Sequence, residues 1–315
     1  MSAYNGARYL PQQIDSILAQ SGVKVSLLVR DDGSNDRTLE ILRAYEKRYQ
    51  NISVYMGNRK GAAAGFYDLL DHADLSNSYY AFADQDDVWM ADKLLRAVTI
   101  LEQQPKGQPL LYAGKVICAS KDLAECRKVS YHIRRGPSFG NALAENICMG
   151  CTEVFNARLL KLARGHLPEG GIMHDWWLYL TAAYFGKVVY DHHANILYRQ
   201  HGDNAVGMQN RWGARWIHRA KHIRQMQHKL SGQAIQFQNA YGQKLYHVEC
   251  RKETAGGLCK NNRCRRCRQT ASLDLLCGYR TDLKKRCRIV LDKQIYRQSV
   301  LDDVIFRMLF MIGFL

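Results

Sequence analysis

The chain has 315 residues, of which 47% are hydrophobic and 23% charged. These values are ordinary for a soluble globular protein with one large α/β domain, or one domain and an appended subdomain. No stretch of about 18 uncharged apolar residues occurs, which argues against a membrane-spanning helix. The formal net charge is +16. Its excess lies late in the chain, in 211–229 and 260–268, which suits nucleic acid, anionic lipid or phosphorylated substrates, or forms a solvated basic face.

Predicted strands and helices alternate along the first part of the chain. Apolar residues at helical spacing predict the helices, and short β-branched or aromatic runs predict the strands. The predicted helices cover 7–20, a segment capped by Asp36, 62–72 and 93–103, and the predicted strands cover 25–29, 52–55, 79–83 and 110–117. This alternation predicts an α/β fold, with a mostly parallel sheet covered by helices on both faces.

The first predicted helix has no strand before it. Only "MSAYNG" precedes that helix, and this segment looks like the turn that leaves a strand. The expectation is therefore that the first strand is missing because the start of the chain is truncated or mis-assigned. About five or six apolar residues placed before Met1 would complete a central strand. After residue 208 the alternation stops, which predicts a first domain over 1–208 and a basic helical region over 209–315.

Three polar clusters follow predicted strands: "SAYNG" (2–6), "RDDGSND" (30–36) and "ADQDD" (83–87). Ligands gather at the carboxyl ends of strands in open parallel sheets, so these clusters should face one crevice. The third cluster places Asp84, Asp86 and Asp87 after an apolar run, where like charges repel one another. A divalent cation bound with a diphosphate would relieve that repulsion. The alternatives are a plain helix-entry turn for "DDGS" and an acidic surface loop for "ADQDD".

An ordered set of motifs resembles a known family. The segments are "SAYNGARYLPQQIDSILAQ", "LLVRDDGSNDRT", "FADQDDVWMADK", "GCTEVFN", "MHDWWL" and "LYRQHGDNAVG". Together they resemble the family 2 glycosyltransferases of the GT-A fold, and more narrowly the bacterial rhamnosyltransferases that extend cell-wall polysaccharide or O-antigen. The resemblance covers about residues 1–210. It implies transfer of a sugar, with inversion, from a nucleotide donor to an acceptor hydroxyl.

The resemblance also assigns roles to residues of the three clusters. Ser2, Tyr4 and Asp32 are expected to bind the donor nucleoside, with the Tyr4 ring offering a face to the base. Asp86 is expected to bind Mg²⁺ or Mn²⁺, and Asp84 to contact the ribose or a metal-bound water. The family often has asparagine where this chain has Gly65, so donor contacts at that position are left open.

The two later motifs supply the remaining expected site residues. Asp175 in "MHDWWL" is the expected catalytic base, and Trp176 is expected to shield it and to stack on the donor sugar, although a tryptophan on a helix can also be a core residue. In "LYRQHG", Arg199 suits the diphosphate leaving group and His201 is a candidate member of the metal shell.

The expected partners are a nucleotide sugar, in particular dTDP-L-rhamnose, and a glycan or lipid-diphosphate-linked acceptor. The basic region and the apolar end, 304–315, suggest attachment to an anionic membrane surface. No nucleic acid is expected. Met1 leads into polar residues rather than a secretory signal, so the ten cysteines fit a reduced cytoplasmic setting at the inner face of the cell membrane.

Two rival interpretations remain open. "CKNNRCRRC" contains Cys259, Cys264 and Cys267, which could form part of a zinc site with Cys250 or Cys277 in a basic, nucleic-acid-binding tail. The other rival is a pseudoenzyme, if the protein truly lacks the first strand.

Overall fold

The computed structural model describes residues 1–59, 61–130, 133–168, 172–201, 229–245 and 264–314. These residues fall into two compact units. The first contains 1–130, 148–165 and 172–201, and the second contains 133–147, 166–168, 229–245 and 264–314. Residues 211–228 and 260–263 of the two basic stretches, and Cys250 and Cys259, lie outside the described residues.

The first unit begins with a parallel three-stranded sheet in the order β1-β2-β3. Its strands are β1 (Ser2–Ala3), β2 (Leu27–Asp31) and β3 (Ile52–Met56). The expectation of a missing first strand is therefore corrected, because Ser2 pairs with Arg30 and Ala3 with Asp31. The strand is present but has only two residues, which is why no strand pattern could be recognised in "MSAYNG".

A second sheet completes the first unit. Its strands are β4 (Tyr79–Ala81), β5 (Val88–Trp89), β6 (Leu110–Ala119), β7 (Cys126–Val129), β8 (Val154–Asn156) and β9 (Lys187–Arg199). The order is β4-β8-β6-β9-β5, with β7 also paired to β6. Strands β6 and β9 run parallel, whereas the β4–β8, β6–β8, β6–β7 and β5–β9 pairs are antiparallel. The predicted parallel arrangement thus holds for the first sheet and for the β6–β9 pair.

The helices of the first unit follow the predicted amphipathic patterns. Leu10, Ile14 and Ile17 lie one helical turn apart and are all buried, which seats the first helix on the core that also contains Val29 and Leu42. These helices are α1 (Leu10–Leu18), α2 (Thr38–Arg48), α3 (Ala62–His72), α4 (Lys93–Glu102), α6 (Ala157–Arg164) and α7 (His174–Phe185).

The second unit is helical in its described part. It consists of α5 (Phe139–Ala144), α8 (Lys229–Tyr241), α9 (Arg265–Gly278), α10 (Leu283–Leu291) and α11 (Val300–Met311). All six residues of α5 are buried, and its Phe139 ring lies 5.5 Å from that of Phe237. The Asn141 amide donates to the Tyr296 carbonyl at 3.1 Å. Segment 133–147 therefore packs with the C-terminal helices, although it lies between β7 and β8 of the first unit in the chain.

Among the described helices, none is long and apolar enough to cross a lipid bilayer.

Candidate active site

The acidic loop, residues 84–87, connects β4 and β5. The Gln13 side chain donates to the Asp84 carbonyl at 3.0 Å, which ties the loop to α1. Asp84 and Asp86 are half-buried, whereas Asp87 is fully buried. The loop therefore leaves Asp84 and Asp86 partly exposed and keeps Asp87 in the protein interior.

The turn after β1 is held against this loop by Gln85. Its side-chain oxygen accepts from the Tyr4 N–H at 2.8 Å, and its amide donates to the Tyr4 carbonyl at 2.9 Å. Gln85 thus pairs with Tyr4 much as a neighbouring strand would. The Tyr4 hydroxyl accepts from Arg59 at 2.7 Å. The structure therefore brings together two of the three clusters predicted to share a crevice.

The third cluster follows β2 and is organised by buried charges. Asp31 accepts from the Ser34 N–H and hydroxyl, which closes the "DDGS" turn. The two carboxylate oxygens of Asp32 accept from Arg30 at 2.7 Å and from the Gly61 N–H at 2.9 Å. Asp32 is buried, so the residue expected to bind the donor here also orders the loop that contains Gly61.

Arg30 lies fully buried between two glycines. A Cβ added to Gly57 would lie 2.2 Å from Arg30 Cζ, and one added to Gly65 would lie 3.0 Å from Arg30 Nη1 and 2.9 Å from Ser2 Oγ. The absence of side chains at both glycines lets the guanidinium reach Asp32 and, at 3.0 Å, Asp68. This explains the glycine at position 65 in physical terms.

Asp175 stands in the first turn of α7. Its Oδ2 accepts from the Gly150 N–H at 3.2 Å and its Oδ1 from the Trp176 N–H at 2.7 Å. The carboxylate therefore links α7 to the short 3₁₀ helix Gly150–Thr152. Trp176 is half-buried, as a side chain that shields Asp175 would be, whereas Trp177 is fully buried in the core.

The carboxylates of Asp86, from the same loop, and of Asp175, from α7, act electrostatically on that of Asp84. Burial raises the pKa of Asp84 to about 7, with further contributions from the charges of Asp86 and Asp175, while the Met1 ammonium opposes them. Desolvation and like charges both disfavour the ionised form, so this is a site where an added cation is strongly favoured. The sequence-predicted Asp84, Asp86 and Asp175 therefore belong to one site.

Arg199 and His201 lie beside the acidic loop. The His201 Nε2 atom lies 2.7 Å from Asp86 Oδ2, and its ring lies 5.0 Å from that of Tyr9. Arg199 is only 2% exposed. Its side chain donates to the Asp86 and Lys121 carbonyls and to Gln12, and its N–H donates to Asp87. In this arrangement Arg199 braces the acidic loop, so its predicted contact with a diphosphate stays a prediction.

The donor atoms at this loop suit a hard divalent cation. Asp84, Asp87 and Cys151 form the one group of three potential metal ligands found within the described residues, with ligand atoms within 4.8 Å of one another. Burial, however, raises the pKa of the Cys151 thiol well above its usual value, and Mg²⁺ or Mn²⁺ prefers oxygen to sulfur. Asp87 Oδ2 has no hydrogen-bond partner in that described set. The half-buried carboxylates of Asp84 and Asp86, with His201 adjacent to Asp86, suit the ion better.

Several residues at the site were missed by sequence reasoning. Gln85 lies within the "ADQDD" motif, but its link to Tyr4 depends on contact across the sheets. Glu153 is fully buried, and neither carboxylate oxygen has a hydrogen-bond partner among the described residues. Burial, and next the charge of Asp175, raise the pKa of Glu153 well above its usual value. A single glutamate in "GCTEVF" offers no signal of this burial.

The cysteines considered for a zinc site do not come together in the part of the chain that the structure shows. Cys264 caps α9 by accepting from the Cys267 N–H at 3.3 Å. Neither joins a group of three potential ligands there. Cys250 and Cys259 lie outside the described residues, so the zinc interpretation stays untested.

The chain is similar in sequence to known glycosyltransferases. The glycosyl transferase family 2 domain matches residues 1–152. The dTDP-rhamnosyl transferase RfbG of Shigella flexneri is 30% identical over 218 residues, which are 66% of this chain and 73% of that protein. The putative teichuronic acid biosynthesis glycosyltransferase TuaG of Bacillus subtilis is 34% identical over 103 residues, which are 32% of this chain and 40% of that protein.

The fold is also similar to that of a solved structure. The crystal structure of S. aureus TarS 1–349 in complex with UDP-GlcNAc has a TM-score of 0.55 at 15% identity and covers 92% of this chain and 77% of that one. This likeness confirms the predicted GT-A-like α/β fold. The match to RfbG and the matched domain show that the chain belongs to glycosyl transferase family 2.

Proposed function

We propose that this protein is an inverting, divalent-cation-dependent glycosyltransferase that moves a sugar from a nucleotide donor onto an acceptor hydroxyl. The observation that supports this most directly is the convergence of Asp84, Asp86 and Asp175. Asp84 lies with its ligand oxygen within 4.8 Å of the Cys151 thiol, and the N–H of the preceding residue, Gly150, donates to Asp175. The charges of Asp86 and Asp175, together with burial, raise the pKa of Asp84 to about 7. A catalytic base and a diphosphate-binding cation site are the two parts that such a transfer needs, and these carboxylates can supply both.

The acidic loop would hold the metal. Asp86 and His201 would ligate Mg²⁺ or Mn²⁺, and Asp84 would contact the ribose or a water on the ion. The bound ion would neutralise negative charge on the diphosphate leaving group. Ser2, Tyr4 and Asp32 would bind the nucleoside, and the pairing of Gln85 with the Tyr4 backbone fixes this turn relative to the acidic loop.

Asp175 would act as the base. It takes the proton of the acceptor hydroxyl while that oxygen forms a bond to the anomeric carbon. The bond from this carbon to the diphosphate oxygen breaks at the opposite face, and its electron pair leaves with the nucleotide. The N–H groups of Gly150 and Trp176 fix the carboxylate orientation. Trp176 would shield the base from water and stack on the donor sugar.

The proposed donor is dTDP-L-rhamnose, because RfbG is named as a dTDP-rhamnosyl transferase. The TarS crystal complex contains UDP-GlcNAc, so a uridine donor is the first competitor to test. We propose a growing polysaccharide or a lipid-diphosphate-linked sugar as acceptor, in keeping with TuaG, named for teichuronic acid biosynthesis. The reaction would take place in the cytoplasm, at the inner face of the cell membrane. The Arg199 guanidinium would contribute by holding the acidic loop in place.

The test compares Asp86→Ala and Asp175→Asn in donor binding and in transfer from dTDP-rhamnose and UDP-GlcNAc, with and without Mn²⁺. Asp86→Ala should weaken cation-dependent donor binding, because a ligand to the ion is lost. Asp175→Asn keeps the shape but cannot take a proton, so donor affinity should persist while transfer falls by roughly 10²–10⁴-fold.

Asp282→Asn is the matched control, because Asp282 lies in the second unit and caps α10 by accepting from two backbone N–H groups. Asparagine caps helices about as well as aspartate, so this variant should retain full activity. Near-normal transfer by a folded Asp175→Asn protein would remove Asp175 from the mechanism. Donor binding that does not depend on the cation would exclude the metal from the mechanism.

A further inference from the structure

Helix α11 has two apolar faces, and only one of them is buried. Phe306 and Phe310 pack in the interior, with their rings 4.7 Å apart. A second set of apolar side chains is exposed, and the exposed fraction reaches 63% at Met308 and 70% at Ile312. We call this set the α11 stripe; it consists of Val300, Leu301, Val304, Met308, Met311 and Ile312.

The α11 stripe is continuous along the helix. At about 100° per residue, its six members fall within an arc of roughly 120°, and Phe306 and Phe310 lie on the opposite side. A helix that needed only to fill the core would place polar residues on this outer arc. Contiguous exposed apolar surface on a protein marks an interaction site.

Helix α10 also has one buried and one exposed apolar face, and its exposed face includes basic residues. Ile289 is buried, while Leu283 and Leu291 are 66% and 77% exposed. Cys287 is also exposed and lies between these leucines on the helix surface, and the exposed Lys284 and Arg288 run along the same face. Apolar side chains next to basic ones on a surface helix are typical of segments that lie in a membrane interface.

The two helices are joined to each other. The Arg307 guanidinium of α11 donates to the Asp292 carbonyl just after α10 at 3.2 Å, and to the Val290 carbonyl. A Cβ added to Gly313 would meet Arg286 at 2.7 Å. The two helices therefore form one packed pair. In residues 264–314 there are 11 Lys and Arg against 5 Asp and Glu, a formal charge of +6.

We infer that the α10–α11 pair binds the surface of an anionic lipid bilayer, with the α11 stripe and the two leucines inserted among the acyl chains and Lys284 and Arg288 on the lipid phosphates. Charge decides between a bilayer and a second copy of this chain, because a copy with a formal charge of +16 would be repelled by the same face. This inference concerns the second unit and stands without the catalytic proposal.

The experiment is co-sedimentation of the full chain with vesicles of phosphatidylcholine alone or with phosphatidylglycerol. Leu301→Glu/Met308→Glu should lower the partition coefficient on phosphatidylglycerol vesicles by roughly tenfold or more, because it removes exposed apolar surface that would insert into the bilayer and adds negative charge. Met56→Glu/Leu75→Glu is the matched control, since both side chains are exposed and apolar but belong to the first unit. It should bind like the wild-type chain.

A second pair of variants tests the charge. Lys284→Glu/Arg288→Glu should weaken binding by roughly tenfold or more, whereas Lys106→Glu/Lys187→Glu, exposed lysines of the first unit, should have a much smaller effect. Equal losses in both pairs would overturn the inference, because binding would then follow net charge alone. It would also be overturned if the chain formed a dimer that Leu301→Glu/Met308→Glu dissociates and did not bind vesicles.

Discussion

Lys93, the first residue of α4, is a buried basic residue near the acidic loop. It is 2% exposed, its ammonium lies 3.7 Å from the centre of the Trp89 ring, and Nζ has no hydrogen-bond partner in the described part of the chain. Burial lowers the pKa of Lys93 to about 7, although the charges of Cys151 and Asp87 raise it in part. A group with a lowered pKa in the folded state binds fewer protons there than in the unfolded chain, so folding is opposed at low pH.

This gives a prediction for Lys93→Met. Between the folded pKa of about 7 and the ordinary value of 10.5, the unfolding free energy of the wild-type chain should rise with pH relative to that of the variant. The slope of the difference should approach about 1.4 kcal/mol per pH unit. Urea denaturation at pH 7.5 and pH 9 measures it. Lys106→Met, at an exposed site, should show no such slope, and a flat difference for Lys93→Met would contradict the prediction.

The sequence identified some of the ionisable residues of the site but not others. Asp84 and Asp86 were found because they follow a predicted strand, and Asp175 because "MHDWWL" resembles a motif of the family. Glu153 and Lys93 were not found, because an isolated charged residue next to apolar ones does not reveal whether it is buried. For Arg199 the residue was identified, but its bonds to the acidic loop depend on contacts distant in sequence.

At the scale of elements, a cavity of about 530 Å³ separates the two sheets of the first unit. It is lined by Met1, by Leu27 and Leu28 of β2, and by residues near β4 that include Tyr80 and Phe82. Because β1 pairs only with Arg30 and Asp31, Leu27 and Leu28 lie beyond its end. The Met1 ammonium donates to the Leu28 carbonyl at 2.7 Å, and burial lowers the pKa of this amine to about 5.

We therefore predict that five apolar residues added before Met1 will lengthen β1 into this cavity. The unfolding free energy should rise by about 3 kcal/mol or more, because two or three side chains gain burial at roughly 1.5–3 kcal/mol each. Urea denaturation compares this chain with one extended by five Gly and Ser residues. If the two extended chains had equal unfolding free energies, and the apolar extension bound the donor no better, the longer strand would be ruled out.

The elements themselves were predicted to different degrees. The helix over 62–72 agrees with α3, and the helix over 93–103 agrees with α4 to within one residue, since each has a clear apolar period. The antiparallel pairing of β8 with β4 and β6 could not be read from the sequence. A short apolar strand has the same pattern in either direction, and its partner is fixed by chain segments far away.

At the scale of the whole molecule, a division after residue 208 stays a proposal, and segment 133–147 complicates it. Helix α5 packs with α8 and α9, and the Gln298 side chain accepts from the N–H groups of Arg134 and Arg135. This segment lies in the predicted first domain by sequence but in the second unit by structure. Six residues were too few for the pattern to reveal where α5 packs.

A chain of residues 1–208 should therefore aggregate, because α5 loses its partners and exposes buried apolar side chains. In this shortened chain, Phe139→Ser/Leu143→Ser should improve solubility. In the full chain the same pair should lower the unfolding free energy by about 3 kcal/mol or more, since both side chains are buried. Size-exclusion chromatography and urea denaturation test the two effects. A monomeric 1–208 chain that the substitutions do not improve would support an independent first domain.

The buried Arg30 has a consequence for how this protein can change in descent. A Cβ at position 57 would lie 2.2 Å from the Arg30 Cζ, and one at position 65 would lie 3.0 Å from its Nη1, so a side chain at either position requires the buried guanidinium to shift. Arg30 in turn cannot be lost alone, because Asp32 and Asp68 would lose their buried counterion. The three positions are thus physically coupled. A side chain at position 57, where the approach is closest, is expected to be tolerated best together with a substitution of Arg30 and of the carboxylates that it neutralises.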